Sequence, residues 1–379
     1  MRLALTDAPR CRIGNDDLDH VFVTVERVRV HESSADDPPA SGWRDVEVLD
    51  PVTRQPGRKI DLLELTNGRL EELGTLPLPA GTYTQARLVL RANQGSGTPA
   101  NSLVLAGETI EIPLRTPSAA QSGLKLIHPF TVQPNTLVDV VIDFDACRSI
   151  VRLGRGNGGY LLKPVLSAHQ RIVAAIRGFV DPAIANVVVS AQKDGVVVRS
   201  TVPDSDGQFI IAFLDPANGP YDVVVTAPAR GSSVVGGVLV DSTNSIVNLS
   251  TAEQRIPLPP AATPTASRTA SGTLGPDAAR ATGVVRAVQA VGSAVPAVEI
   301  ATDNVDGTTG EYSMTLPVAA PLFAPFATTL PLAFAVPAGP SVDFSYKLEA
   351  TATGYAKQTQ NIGTGAGNPA WSPILLLAP

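Results

Sequence analysis

Apolar residues in this chain recur at every second position, in short bursts cut by proline or glycine. In "HVFVTVERVRVHE" (20–32), Val21, Val23 and Val25 share one face of an extended strand. Val28 and Val30 continue in shifted phase against Arg27 and Arg29, which predicts a bulge near Glu26. In "YTQARLVLRA" (83–92), Ala86, Leu88 and Leu90 alternate with Gln85, Arg87 and Arg91. With 33 Pro and 32 Gly to punctuate such bursts, the pattern predicts an all-β chain of short strands and tight turns. One exception is "KIDLLELTNGRLEELG" (59–74), where Leu62, Leu63, Leu65, Leu70 and Leu73 fit a turn or two of helix around Asn67-Gly68.

Four segments follow from this punctuation. Residues 1–170 read as one many-stranded domain. Residues 171–250 read as a smaller β-sandwich, with an acidic Gly turn in "DSDGQF" and a strand in "GPYDVVVTAPARG". Residues 251–273 are rich in Pro, Ala, Thr and Ser and read as a stiff extended linker. Residues 274–379 repeat the second sandwich with insertions: "VDGTTGEYSMTL" echoes "SDGQFIIAF", and "FSYKLEATATGY" echoes "GPYDVVVTAPARG". The expected architecture is therefore three β-sandwiches of the Ig-like or transthyretin-like kind, in series.

Composition narrows the partners. A net charge of −6 with no basic stripe argues against nucleic acid. No apolar run reaches the roughly 18 residues of a membrane helix. The opening "MRLALTDAP" has no apolar signal core, and the expectation is a chain numbered without its export leader.

The segment "DFDAC" (143–147) holds the most suggestive chemistry. In a strand Asp143 and Asp145 point to one face. Close carboxylates shift each other's pKa and do acid–base work, or bind a hard cation. The alternative is a solvated face, with Val138, Val140, Ile142 and Phe144 toward the core. Asp7 sits in a second acidic position near the N-terminus. Asp303 and Asp306 in "DNVDGTTGE" are further calcium candidates, although the full calcium-loop pattern is missing and a hairpin turn explains the stretch. His20, His31, His128 and His169 are scattered without metal-ligand spacing, and no nucleophile elbow, phosphate loop or dinucleotide fingerprint appears. No catalytic residue and no cofactor is expected. Aromatics make up only 5%, with Trp43 and Trp371 the two tryptophans, which weakens a carbohydrate platform.

Cys147 has one potential partner, Cys11. A bond would imply an oxidising compartment and would contribute roughly 3–5 kcal/mol by closing a long loop. Two unpaired buried thiols are the alternative.

One segment stands apart. Residues 312–342 carry Leu322, Phe323, Phe326, Leu330, Leu332 and Phe334 and no charged residue at all. Its prolines exclude a membrane helix and a central strand. Either it folds onto its own sandwich, or it docks on a second copy or a surface partner. The uncharged C-terminal "WSPILLLAP", with Trp371, is suited to joining a sheet edge, within the chain or between chains.

The blocks "LTDAP" (5–9), "VTVERVRVH" (23–31), "IDLLELTNG" (60–68), "LPAGTYTQARLVL" (78–90), "PSAAQSGLKL" (117–126), "DFDACRSIV" (143–151) and "YLLKPVL" (160–166) occur in that order. Together they resemble a bacterial family of exported, often lipid-anchored proteins with an N-terminal domain of unknown function. The resemblance implies export, and it implies that Cys11 and Cys147 form a pair. It carries no catalytic residue. The next domain, through "DSDGQF" and "PYDVVVTAPARG", resembles the carboxypeptidase-regulatory-like (transthyretin-like) sandwich, and residues 274–379 resemble a divergent copy that departs at 317–342. The expected function is a non-enzymatic, extracellular or cell-surface structural or adhesion protein that self-assembles, with an outer-membrane or periplasmic location as fallback. The alternative is a calcium-dependent module for an extracellular glycan or other ligand.

Overall fold

A computed structural model describes residues 1–7, 12–13, 16–33, 35, 42–95, 97–117, 123–134, 138–154, 158–163, 165–170, 174–241, 246–260, 267–292, 295–337, 346–362 and 374–377. It is nearly all β, with helices limited to single turns. The chain divides into two compact units, one of Met1–Arg12, Asp16–Val151 and Gly159–Ile172, the other of Ile13–Asn15, Arg152–Gly158 and Val173–Pro379.

The first unit is built on the strand Asp16–His31, 16 residues long. Its first half pairs with Arg58–Asp61 and Ser102–Leu105, and its second half with Arg44–Glu47 and Gly81–Leu90. The register slips between Val25 and Arg27, which places the bulge at Glu26, where the phase change in the sequence predicts it. A four-stranded sheet runs in the order Leu166–Gln170, Asp139–Phe144, Arg2–Asp7, Glu71–Thr75. Its two central strands are parallel. Ile142 and Phe144 are buried as expected, and so is Val141 on the opposite face. A strand covered on both sides cannot show clean alternation. Of the leucines after Ile60, Leu62 and Leu63 lie in a short 3-10 turn, Leu62–Glu64, capped by Asp61, but Leu73 lies in the strand Glu71–Thr75, so the helical expectation fails there.

The second unit contains the internal repeat as two sandwiches of one topology. In the first, Ala175–Phe179 lies between Gln208–Ile211 and Ile246–Asn248, opposite a sheet in the order Val196–Thr201, Val188–Lys193, Tyr221–Thr226, Ser233–Val238. In the second, Ser267–Gly275 lies between Glu311–Pro317 and Ile374–Leu375, opposite Val298–Asn304, Val284–Gln289, Tyr346–Thr351, Gln358–Ile362. In both, the last strand runs parallel to the first, and a register slip falls at the equivalent hairpin. The C-terminal "IL" thus joins a sheet edge within the chain.

The extended linker expected over 251–273 is not what its described residues form. Ser267–Gly275 is the central strand of the second sandwich. Ile256 and Leu258 are buried on the first sandwich, and Ile256 N–H donates to the Phe179 carbonyl at 2.9 Å. Proline removes donors but leaves carbonyls and does not prevent the intervening apolar residues from packing. The alternation Ile256–Pro257–Leu258–Pro259 was the sign of this. Residues 261–266 lie outside the described set.

Candidate functional site

The carboxylates of "DFDAC" have separate architectural tasks. Asp143 lies in the strand Asp139–Phe144, half-buried, in register with Thr6 on one side and Ser167 on the other. The Ser167 hydroxyl donates to its Oδ2 at a long 3.4 Å. Asp145 caps the helical turn Ala146–Ser149: its Oδ1 accepts from Arg148 N–H at 2.9 Å. An N-cap carboxylate satisfies an orphan backbone donor. Asp7, whose side chain lies outside what the structure describes, is the register partner of Phe144.

No described cysteine is free. Cys11 lies outside the described residues, as does Trp371. Register pairs Asp7 with Phe144 on neighbouring parallel strands, so the chain leaves both strands at the same end. Cys11 follows Asp7 by a few residues, and Cys147 likewise follows Phe144.

Asp303 and Asp306 are both buried. Asp306 Oδ1 accepts from the backbone N–H of Thr308 at 2.9 Å, Thr309 at 2.8 Å and Gly154 at 3.0 Å. Its Oδ2 is 3.4 Å from Arg152 Nε. Burial alone would raise the pKa of this carboxyl, but the N–H groups of Thr309, Thr308 and Gly154 outweigh it and hold the carboxyl below its ordinary range. Asp303 Oδ2 accepts from Ser313 N–H at 2.8 Å. Asp306 Oδ1 and Asp303 Oδ2 are thus taken up by backbone donors, while Asp306 Oδ2 is buried without a hydrogen bond among the described residues. Among the described residues no group of three or more His, Cys, Asp and Glu is placed to hold a metal ion.

The uncharged segment after Tyr312 is divided between two cores. Tyr312, Met314 and Leu316, on Glu311–Pro317, fill their own sandwich. The next residues, Leu322–Pro325, leave it and pair in parallel with Ser233–Gly236 of the preceding sandwich. Phe323 packs there against Val224, Val234, Val291 and Val298. Gly236 makes room for it, since a Cβ at that position would stand 2.7 Å from the Phe323 ring. Ala335 then bridges to Phe323 with bonds of 2.8 and 3.0 Å. Leu322, Phe326, Leu330, Leu332 and Phe334 are half-buried, and among the described residues of this segment Val336 is the large apolar one left exposed.

Sequence reasoning missed the polar seam beside this strand. Gln192, fully buried, exchanges two hydrogen bonds of 2.8 Å with the Glu299 backbone. Arg286 donates to Glu299 Oε2 at 3.1 Å, to Glu349 Oε2 at 2.6 Å and to the Gly195 carbonyl at 3.1 Å. The Ser232 hydroxyl donates to Gln289 Oε1 at 3.1 Å. Burial would raise the Glu349 carboxyl, but Lys357 and Arg286 hold it below its ordinary range. Gln192 lies in the strand Val188–Lys193, and its complete burial is what sets it apart.

Two clusters in the first unit were also missed. His20 Nδ1 donates to Asp61 Oδ2 at 2.5 Å, and its ring stacks on Phe22 at 5.3 Å between centroids. Asp61 is already engaged by the backbone N–H of Val21 and Leu63, each at 3.2 Å. Trp43 has the guanidinium groups of Arg29 and Arg87 each 4.8 Å from its ring centroid, and His31 tilted at 5.0 Å. A ring covered in this way is a poor platform for a sugar face. No helix among the described residues is long and apolar enough to cross a membrane.

Residues 1–164 match the family described as a domain of unknown function, DUF4382. No curated protein matches the chain. Among solved structures, a streptococcal ancillary pilin is 12% identical, with 98% of each chain covered and a TM-score of 0.16, and at that score the likeness carries no argument.

Proposed function

We propose that this chain is a non-enzymatic structural protein of the cell surface, exported to an oxidising compartment where Cys11 and Cys147 pair, and that it takes part in an assembly. One observation carries the reading. The second unit is a pair of like sandwiches fused by a shared strand and a buried amide seam, which makes a stiff spacer. The acidic side chains that suggested chemistry support it, because Asp145, Asp303 and Asp306 are used as caps and turn braces. Modules of this kind serve more often as spacers or interaction surfaces than as active sites.

The test is protease shaving of intact producing cells followed by peptide mapping. Peptides from both units should be released while a cytoplasmic marker stays intact. Release only after cell lysis would overturn the location and with it the structural role at the surface.

A further inference from the structure

We propose that the outer edge of Gln358–Ile362 is a self-complementary docking edge, through which two copies of the chain join their sheets antiparallel about a two-fold axis. This rests on the reading of the chain as an assembling surface protein and names the surface through which assembly occurs.

The internal repeat points to the place. Ser233–Val238 ends the large sheet of the first sandwich of the second unit, and its counterpart in the next sandwich is Gln358–Ile362. The first of these edges is covered by the inserted strand Leu322–Pro325. The second has no strand on its outer side among the described residues. The segment that looked suited to assembly is thus spent inside the chain, and among the described residues no strand takes its place at the equivalent edge one sandwich later.

An open edge presents a row of unpaired backbone N–H and C=O groups, and proteins that stay monomeric blunt such edges with charge, proline, bulges or short length. Most of the other described edges of the second unit carry these devices, while Gln208–Ile211 is uncharged and in unbroken register but only four residues long. Val196–Thr201 has a register slip against its neighbour and a central Arg199. Val298–Asn304 has a slip, Glu299 and Asp303. Glu311–Pro317 begins with a carboxylate and ends in proline. Ile246–Asn248 and Ile374–Leu375 are three and two residues long. Gln358–Ile362 is five residues in unbroken register with Tyr346–Ala350 and carries no charge, proline or bulge.

The occupant follows from the sequence of the edge. In an antiparallel pair centred on Gln360, that residue faces Gln360 of the partner subunit. Thr359 then faces Asn361 of the partner subunit, and Gln358 faces Ile362 of the partner subunit. No like charges meet, and the amide side chains can bond across the seam. Thr359 and Asn361 are exposed and Gln360 is half-buried, so the polar groups stand at the surface. The contact is isologous and closes at two copies.

The test uses the full chain in analytical ultracentrifugation over a range of concentrations. The unmodified protein should show a reversible monomer–dimer equilibrium. Gln360→Lys and Gln360→Glu should each weaken it about fivefold or more, since like charges then meet on the axis. An equimolar mixture of the two variants should restore dimers. Gln360→Cys should form an inter-chain disulfide on oxidation, a readout that does not depend on how the charged variants fold. A dimer that neither charge variant weakens, or a protein monomeric at every concentration, would overturn the proposal. Both outcomes leave the surface location to be decided by the shaving experiment.

Discussion

The side-chain amide of Gln192 clasps the backbone of Glu299 at both ends, with Nε2 donating to its carbonyl and Oε1 accepting from its N–H, each at 2.8 Å. The amide therefore stands in for one residue of a neighbouring strand, across 107 positions of sequence. Gln192→Ala would leave both backbone groups buried without that partner. The expected cost is about 2–4 kcal/mol, from two unmade bonds. Urea denaturation of the full chain should show the transition of the second unit moving to lower denaturant while that of the first stays in place.

Phe323→Ser should act in the same unit. Because Phe323 packs on Val224 and Val234 of the preceding sandwich, its loss should lower stability by about 2 kcal/mol. The oligomeric state should not change, which separates this strand from the proposed edge at Gln360. Sedimentation alongside thermal unfolding would report both.

Asp306 gives the second unit an acid limit. Its folded pKa is depressed, so the stability it contributes is complete above the ordinary aspartate range, near pH 4, and is lost as pH falls through the folded value. Asp306→Asn should flatten this part of the stability–pH curve below pH ~4 and weaken the protein at neutral pH. Denaturation midpoints of the two proteins between pH 3 and pH 7 would show the difference as a gap that narrows toward acid.

Tyr312 predicts a change in the other direction. Its hydroxyl is buried with no hydrogen-bond partner, and burial pushes its pKa up to about 12. Tyr312→Phe removes an unsatisfied group at nearly constant shape, so stability should be unchanged or up to about 1 kcal/mol higher. In the unmodified protein, stability from this phenol is complete below the ordinary tyrosine value and is lost as pH rises through about 12. Ultraviolet titration should show one phenol fewer ionising in that range in the variant.

Reduction should test the cysteine pair. If Cys11 and Cys147 are joined, a reducing agent should lower the stability of the first unit by roughly 3–5 kcal/mol without altering its far-ultraviolet circular dichroism. Non-reducing peptide mapping that finds two free thiols would rule the pair out.

What could be read from the sequence was local. The phase change at Glu26, the leucine spacing after Ile60 and the Asp-Gly turns of the two copies each depend on neighbours a few residues away. They gave the bulge, the short 3-10 turn and the repeated sandwich. Partner choice was not local. Leu322–Pro325 reads as an apolar extended piece, but nothing in its own residues says that it pairs with Ser233–Gly236. Nor does Gln192 announce that its amide will be buried against Glu299. The alternation of Ile256 and Leu258 was legible and was masked by the prolines around it. The paired carboxylates of "DFDAC" suggested chemistry because spacing shows a shared face and does not show that one of them is a cap.

The parallel pairing of Arg2–Asp7 with Asp139–Phe144 sets a schedule for biosynthesis. The opening strand can meet Glu71–Thr75 as soon as that antiparallel partner emerges, but its other flank stays bare until some sixty further residues are made. At about 5–20 residues per second this is a wait of several seconds, during which a half-covered apolar strand is open to capture by the wrong neighbour. The nascent chain should therefore be most vulnerable to misfolding, and most dependent on a holding chaperone, in the interval before residue 139 appears.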